Sequence, residues 1–151
     1  MKKIMEEMQL IKKQFDKYGI KIPSGCSDAM ITDFLSDFEQ EFNYTIDLGY
    51  IEFIRTLNGL EFNGFIIYPC VKNEENESVS GEDIIESNLT WIDGDESFME
   101  KTVFAESDID LYIKDLKTLD YQIVSKYSDE VFERFDSFED LIVYGIKKYF
   151  E

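Results

Sequence analysis

The stretch from Thr45 to Tyr68, TIDLGYIEFIRTLNGLEFNGFIIY, constrains this chain more than any other. Asp47 suits a helix N-cap, and Leu48, Ile51, Ile54 and Leu57 follow it at helical spacing. Asn58-Gly59 then stops the helix, because glycine accepts the left-handed conformation that a C-terminal cap requires. A second Asn-Gly pair, Asn63-Gly64, divides Leu60-Glu61-Phe62 from Phe65-Ile66-Ile67-Tyr68 and predicts a two-residue hairpin. One short segment therefore joins a helix to the first strands of a sheet, and nothing in it has the makings of a catalytic group.

The rest of the chain surrounds that joint. Residues 2–18 carry Ile4, Met8, Ile11, Phe15 and Tyr18 as one helical stripe. The glutamates of this helix argue against a membrane surface, so docking onto the body of the domain is predicted. A second helix starts at Ser27 or Asp28 and presents Ile31, Phe34, Leu35, Phe38 and Phe42 on one face. After Tyr68, Pro69 closes the ladder, and residues 72–81 form an acidic loop poor in apolar residues. A short helix is predicted from Glu82 to Asn88, then an apolar Leu89-Thr90-Trp91-Ile92 and a turn at Asp93-Gly94-Asp95-Glu96. That turn lacks the spacing and the twelfth-position glutamate of a calcium loop.

Strands follow at 101–105, 109–114 (with Ile109, Leu111 and Ile113 on one side) and 121–125, an antiparallel meander with turns at 106–108 and 115–120. Residues 128–135 read as a connection to the last helix. That helix is capped by Asp136 or Ser137, with Glu139 and Asp140 in its first turn and Lys147-Lys148 in its last, as the helix dipole favours. The predicted class is α+β: a single domain, residues 1–151, with a mostly antiparallel sheet packed by N-terminal helices and a C-terminal helix. Its parts are a helix at 1–18, two helices at 27–57, a sheet with an acidic loop and short helix at 59–125, and a helix at 136–150.

Charge and composition narrow the function. The 151 residues carry a net charge of −18 and no histidine. Residues 1–22 hold six lysines against three acids, whereas residues 74–110 hold 13 acids against one lysine. Such a field repels nucleic acid and anionic membranes and steers a basic protein toward the domain, though it also simply confers solubility. Without histidine the usual general base and the Ser-His and Cys-His pairs are missing. Cys26 and Cys70 read as two reduced thiols, too few for a zinc site. No cofactor or metal is expected. With no apolar run long enough to span a bilayer, and with Glu6, Glu7 and Gln9 interrupting any signal-like segment, the expected location is the cytoplasm.

At the residue level the chain resembles the SUKH superfamily, and within it the YrhA-like branch. The resemblance rests on Ile46 through Gly59 (IDLGYIEFIRTLNG), Asn88 to Trp91, Val103-Phe104-Ala105-Glu106-Ser107-Asp108 and Asp136-Ser137-Phe138-Glu139-Asp140. The family pattern favours glycine where Ala105 stands and Leu-Pro where Ile46-Asp47 stands. The resemblance implies a single α+β domain with no catalytic residues, commonly an immunity protein that binds and neutralises a cognate polymorphic toxin, many such toxins being nucleases. It implies architectural roles for Asn58, Gly59, Trp91, Phe104 and Tyr112; the hairpin turn Asn63-Gly64 joins them as punctuation of the frame.

The expected partner is a protein, a basic toxin domain, met by Glu74, Glu75, Glu77, Asp93, Asp95, Glu96 and Asp108. The alternative is an intracellular adaptor of the same superfamily with no toxin partner. A hydrolase using Asp93 with Glu96, or Asp108 with Asp110, is disfavoured because those acids fall at turns and strand ends.

Overall fold

The computed structural model describes residues 2–73, 76 and 79–150. In chain order these form α1 (Lys2–Lys17), α2 (Asp28–Phe42), α3 (Leu48–Thr56), β1 (Leu60–Phe62), β2 (Phe65–Ile67), α4 (Ile84–Gly94), a 3-10 turn (Glu96–Glu100), β3 (Lys101–Glu106), β4 (Asp110–Asp115), β5 (Tyr121–Ser125), β6 (Val131–Phe135) and α5 (Phe138–Phe150). The class is α+β, a single domain, as the pattern of elements predicts. Six strands lie in the order β1-β2-β3-β4-β5-β6, each pair antiparallel.

The helix caps are those chosen by chemistry. Ser27 Oγ accepts from the Met30 amide at 3.2 Å, and Asp47 Oδ1 accepts from the Gly49 amide at 2.8 Å. Ser137 Oγ accepts from the Asp140 amide at 3.1 Å and starts α5. The hairpin turn has φ of 49° at Asn63 and 81° at Gly64, the paired positive values of a type I′ turn. Its Asn63 side chain also donates to the Tyr149 carbonyl at 2.8 Å, tying the hairpin to the end of α5.

Several details differ from the sequence-based expectation. The buried face of α3 is Tyr50, Ile51, Phe53 and Ile54, while Leu48 stands 75% exposed at the first turn. The helix ends at Thr56 with Leu57 as its C-cap, so Asn58-Gly59 lies beyond the stop and works as a loop anchor. Asn58 accepts from the Cys70 amide at 2.9 Å and donates to the Val71 carbonyl at 2.9 Å. Helix α4 runs on through Trp91 to Gly94, absorbing the residues expected to leave it, and Asp95 caps the 3-10 turn that follows. Ile109 is exposed in the β3–β4 turn and does not share the inward side of Leu111 and Ile113. Finally, 131–135 is a sixth strand, so the sheet extends past Ser125.

One face of the sheet carries the main core. Helix α5 packs across it, and Gly145 makes that approach possible: a Cβ there would lie 2.6 Å from Phe65 and 2.9 Å from Tyr112. Leu141, Ile142 and Ile146 are fully buried beside it, each contributing about 1.5–3 kcal/mol by leaving water. Helix α1 lies on α5, burying Ile4, Met8, Ile11 and Phe15 and pairing Lys3 with Asp140 at 3.0 Å. Tyr18 lies past its end and is exposed.

Candidate protein-binding groove

The other face of the sheet is covered along only part of its width. Strand alternation sends Leu111, Ile113, Gln122 and Val124 to that side and Tyr112, Ile123 and Tyr121 to the α5 side. Helix α4 covers the β3 edge, held there by Asn88. That side chain accepts from the Val103 amide at 2.9 Å and donates to the Val103 carbonyl at 2.9 Å and the Ile84 carbonyl at 2.8 Å. Strand β2 pairs with β3 only at Glu106 and Ala105, so Asn88 supplies to Val103 the bonds a longer neighbour strand would have made. Beyond α4 the face opens into a groove of about 680 Å³, floored by Gln122 and Val124 and walled by Trp91 and Phe98 on one side and Val131 and Arg134 on the other.

A polar chain fixes the floor next to α4. The Trp91 indole donates to the Tyr68 hydroxyl at 3.1 Å, which donates to Glu106 Oε1 at 3.0 Å. Lys126 closes it, 2.8 Å from Glu106 Oε2 and stacked over the Trp91 ring at 5.9 Å. Burial, and then the Glu106 carboxylate, pushes the Tyr68 hydroxyl far above the ordinary phenol range, so it acts as a donor. Trp91 is half-buried and sits between core and solvent, while Phe104 and Tyr112 are fully buried.

The cations around the groove are largely engaged. Arg134 pairs with Asp120 at 3.1 Å, Lys117 with Glu100 at 3.0 Å, and Lys101 lies over the Phe98 ring at 5.2 Å. Asp120 is held below the ordinary carboxylate range by the Thr118 hydroxyl, then by Gln122 and Arg134. Asp95 is held below it by the Ser97 amide that it caps. Among the described residues, Asp93, Glu96 and Asp129 make no ion pair and are exposed. Asp95 and Asp129 line the groove as exposed acids, and Asp93 and Glu96 stand within two residues of Asp95, just outside it.

The acids expected to meet a partner do not form one patch. Asp93, Asp95 and Glu96 lie together at the α4 end and beside the groove. Asp108 stands past the far end of β3, against the hairpin turn at Gly64, roughly 17 Å or more away by strand rise. Glu74, Glu75 and Glu77 lie outside the described residues. Nor do Asp108 and Asp110 make a carboxylate pair: Asp108 is exposed, whereas Asp110 is buried on the α5 side, 3.4 Å from Lys148. Sequence reasoning missed the groove itself, since Gln122, Val131 and Arg134 come together only through the register of β5 with β6.

The fold sets three helices, an Asn-Gly joint and a hairpin before a meander with α4 laid against β3. The model of the SMI1 / KNR4 family (SUKH-1) matches residues 25–143. The chain belongs to that family. The match takes in α2 through the first half of α5, and α1, docked on α5, lies outside the matched residues. Among curated proteins, no match to the chain is found. No described helix of this SUKH domain is long and apolar enough to cross a membrane.

Proposed function

We propose that this SUKH domain is a non-enzymatic protein-binding module, an immunity protein that neutralises a cognate basic toxin domain. The observation that carries the reading is the acid-rimmed groove on a member of this family. Family membership supplies the class, since SUKH domains include immunity proteins of the YrhA-like kind. The charge of the chain, −18, favours a partner of opposite sign. A nuclease toxin must present a cationic face to its own substrate, and an acidic inhibitor covers that face directly.

The chemistry of the groove supports binding over turnover. Its floor groups are engaged with one another: Tyr68 with Glu106, Glu106 with Lys126, and Arg134 with Asp120. Recognition then falls to the groove acids Asp95 and Asp129, to the exposed acids Asp93 and Glu96 beside them, and to the half-buried aromatics Trp91 and Phe98, which suit a hot-spot centre. The test is co-expression with any toxin-like domain found encoded beside its gene. Survival and co-purification are expected; cell death despite equal expression of both proteins refutes the toxin reading and leaves an adaptor role.

A further inference from the structure

Two cysteines 44 residues apart meet in the core. Cys26 Sγ and Cys70 Sγ are 3.1 Å apart, and both residues are buried, at 7% and 3% exposure. Their backbones are held by the same knot at the end of α3. The Cys26 amide donates to the Ile54 carbonyl at 2.7 Å, and the Cys70 amide donates to Asn58 Oδ1 at 2.9 Å. The Asn58 amide in turn donates to the Ser24 carbonyl at 3.0 Å, two residues before Cys26. Neither thiol has to be brought to the other, so the entropic cost of pairing is met by the fold.

We propose that Cys26 and Cys70 form a reversible intramolecular dithiol–disulfide site, with a low-molecular-weight disulfide as the oxidant. The inference goes beyond the binding role and stands without it. The Cys26 thiolate attacks one sulfur of the small disulfide, forming a mixed disulfide and releasing one thiol. The Cys70 thiolate then attacks the Cys26 sulfur, forming the Cys26–Cys70 bond and expelling the second thiol. The two cysteine protons end on the two released thiols, and the pair loses the two electrons that the small disulfide gains.

Exposure sets that order, Cys26 being 7% exposed and Cys70 3%. At 3.1 Å either S–H can donate to the other sulfur, so the thiol that loses its proton first keeps a hydrogen bond from its neighbour. The closed bond ties the α1–α2 loop to the foot of the acidic segment after β2, at the point where Val71 and Asn76 are already fastened to Asn58.

The experiment incubates the native protein with hydroxyethyl disulfide, an uncharged oxidant that the negative field does not repel. Free thiols are counted after denaturation, and intact mass and melting temperature are recorded. Low urea is included to allow local opening of the buried pair. Free thiols should fall from two to none in a monomer whose mass drops by about 2 Da, the two lost hydrogens. Tm should rise by about 5–10 °C for a loop of this length, and dithiothreitol should reverse both changes. Cys26→Ser and Cys70→Ser variants should instead stop at one mixed disulfide and gain no Tm. Two free thiols remaining in excess oxidant, a doubly adducted monomer or an intermolecular dimer would each overturn the proposal, and the thiol count on the native chain decides the matter even if the variants fold poorly.

Discussion

Replacing Asn88 by alanine tests how α4 is fastened over the sheet. The side chain is 3% exposed and satisfies three buried backbone groups: the Val103 amide, the Val103 carbonyl and the Ile84 carbonyl. The Ile84 carbonyl belongs to the first turn of α4 and loses least. The two Val103 groups have no neighbour strand to turn to, because β2 pairs with β3 only at Ala105 and Glu106. Each unpaired buried group costs about 1–3 kcal/mol, and alanine's better helix propensity returns about 0.5 kcal/mol. A net loss of about 2–5 kcal/mol lowers Tm by about 5–15 °C in a domain of this size.

Asn88→Asp separates polarity from geometry. Its carboxylate still accepts from the Val103 amide but confronts the carbonyls of Val103 and Ile84, which raises its pKa in the folded state. A raised group contributes stability below its unfolded pKa of about 3.9 and loses it as pH rises through the folded value, so acidification should narrow the gap to the native protein. Thermal melts of the three proteins across pH read both effects. A Tm loss of under about 2 °C for Asn88→Ala at neutral pH refutes the strand-substitute reasoning.

Three further outcomes are expected. Gly59 has φ of +89° and would place a Cβ 3.0 Å from the Pro69 backbone nitrogen, so Gly59→Val should destabilise the fold itself by about 1–3 kcal/mol or more; a variant of native Tm that has lost its partner would reverse that assignment. Neutralising Asp93, Asp95 and Glu96 together should slow association with the partner and flatten its salt dependence in stopped-flow mixing, while an unchanged on-rate would remove the α4 end from the interface. Burial raises the phenols of Tyr50, Tyr68 and Tyr112, and burial followed by Asp47 raises Tyr121, so stability should hold up to the unfolded phenol pKa of about 10 and fall as pH rises further; the last part of the tyrosinate absorbance, from these four of the nine tyrosines, should appear together with loss of circular dichroism, and absorbance for all nine in a still-folded chain would contradict this.

Local chemistry made much of the frame legible. Ser27, Asp47 and Asn63-Gly64 act through bonds to their own neighbours, and the sequence places them where the structure does. Strand β6 escaped notice because Val131-Phe132-Glu133-Arg134-Phe135 lies at an edge, with its middle residues exposed and no clean inside-outside alternation. The length of α4 was hidden because Leu89-Thr90-Trp91-Ile92 has strand-like composition, and tertiary contact through Asn88 decides in favour of helix. Asn58 reads as a helix stop from its place before Gly59, whereas its amide reaches Ser24 and its side chain reaches Cys70 and Val71, all distant in the chain. The groove and the Cys26–Cys70 contact share that character. Both depend on which distant segments meet, and neither leaves a periodic trace in the chain.

The central claim is that an acid-rimmed groove on a SUKH domain covers the cationic face of a toxin. The most direct measurement titrates the purified toxin domain with this protein and follows the toxin's own activity. The account predicts complete inhibition at one protein per toxin. It also predicts a marked loss of inhibition for Asp93→Lys/Glu96→Lys, a variant that keeps the native Tm because neither side chain is buried or ion-paired among the described residues. Undiminished activity at saturating native protein, or inhibition unchanged by the charge reversal, would contradict it.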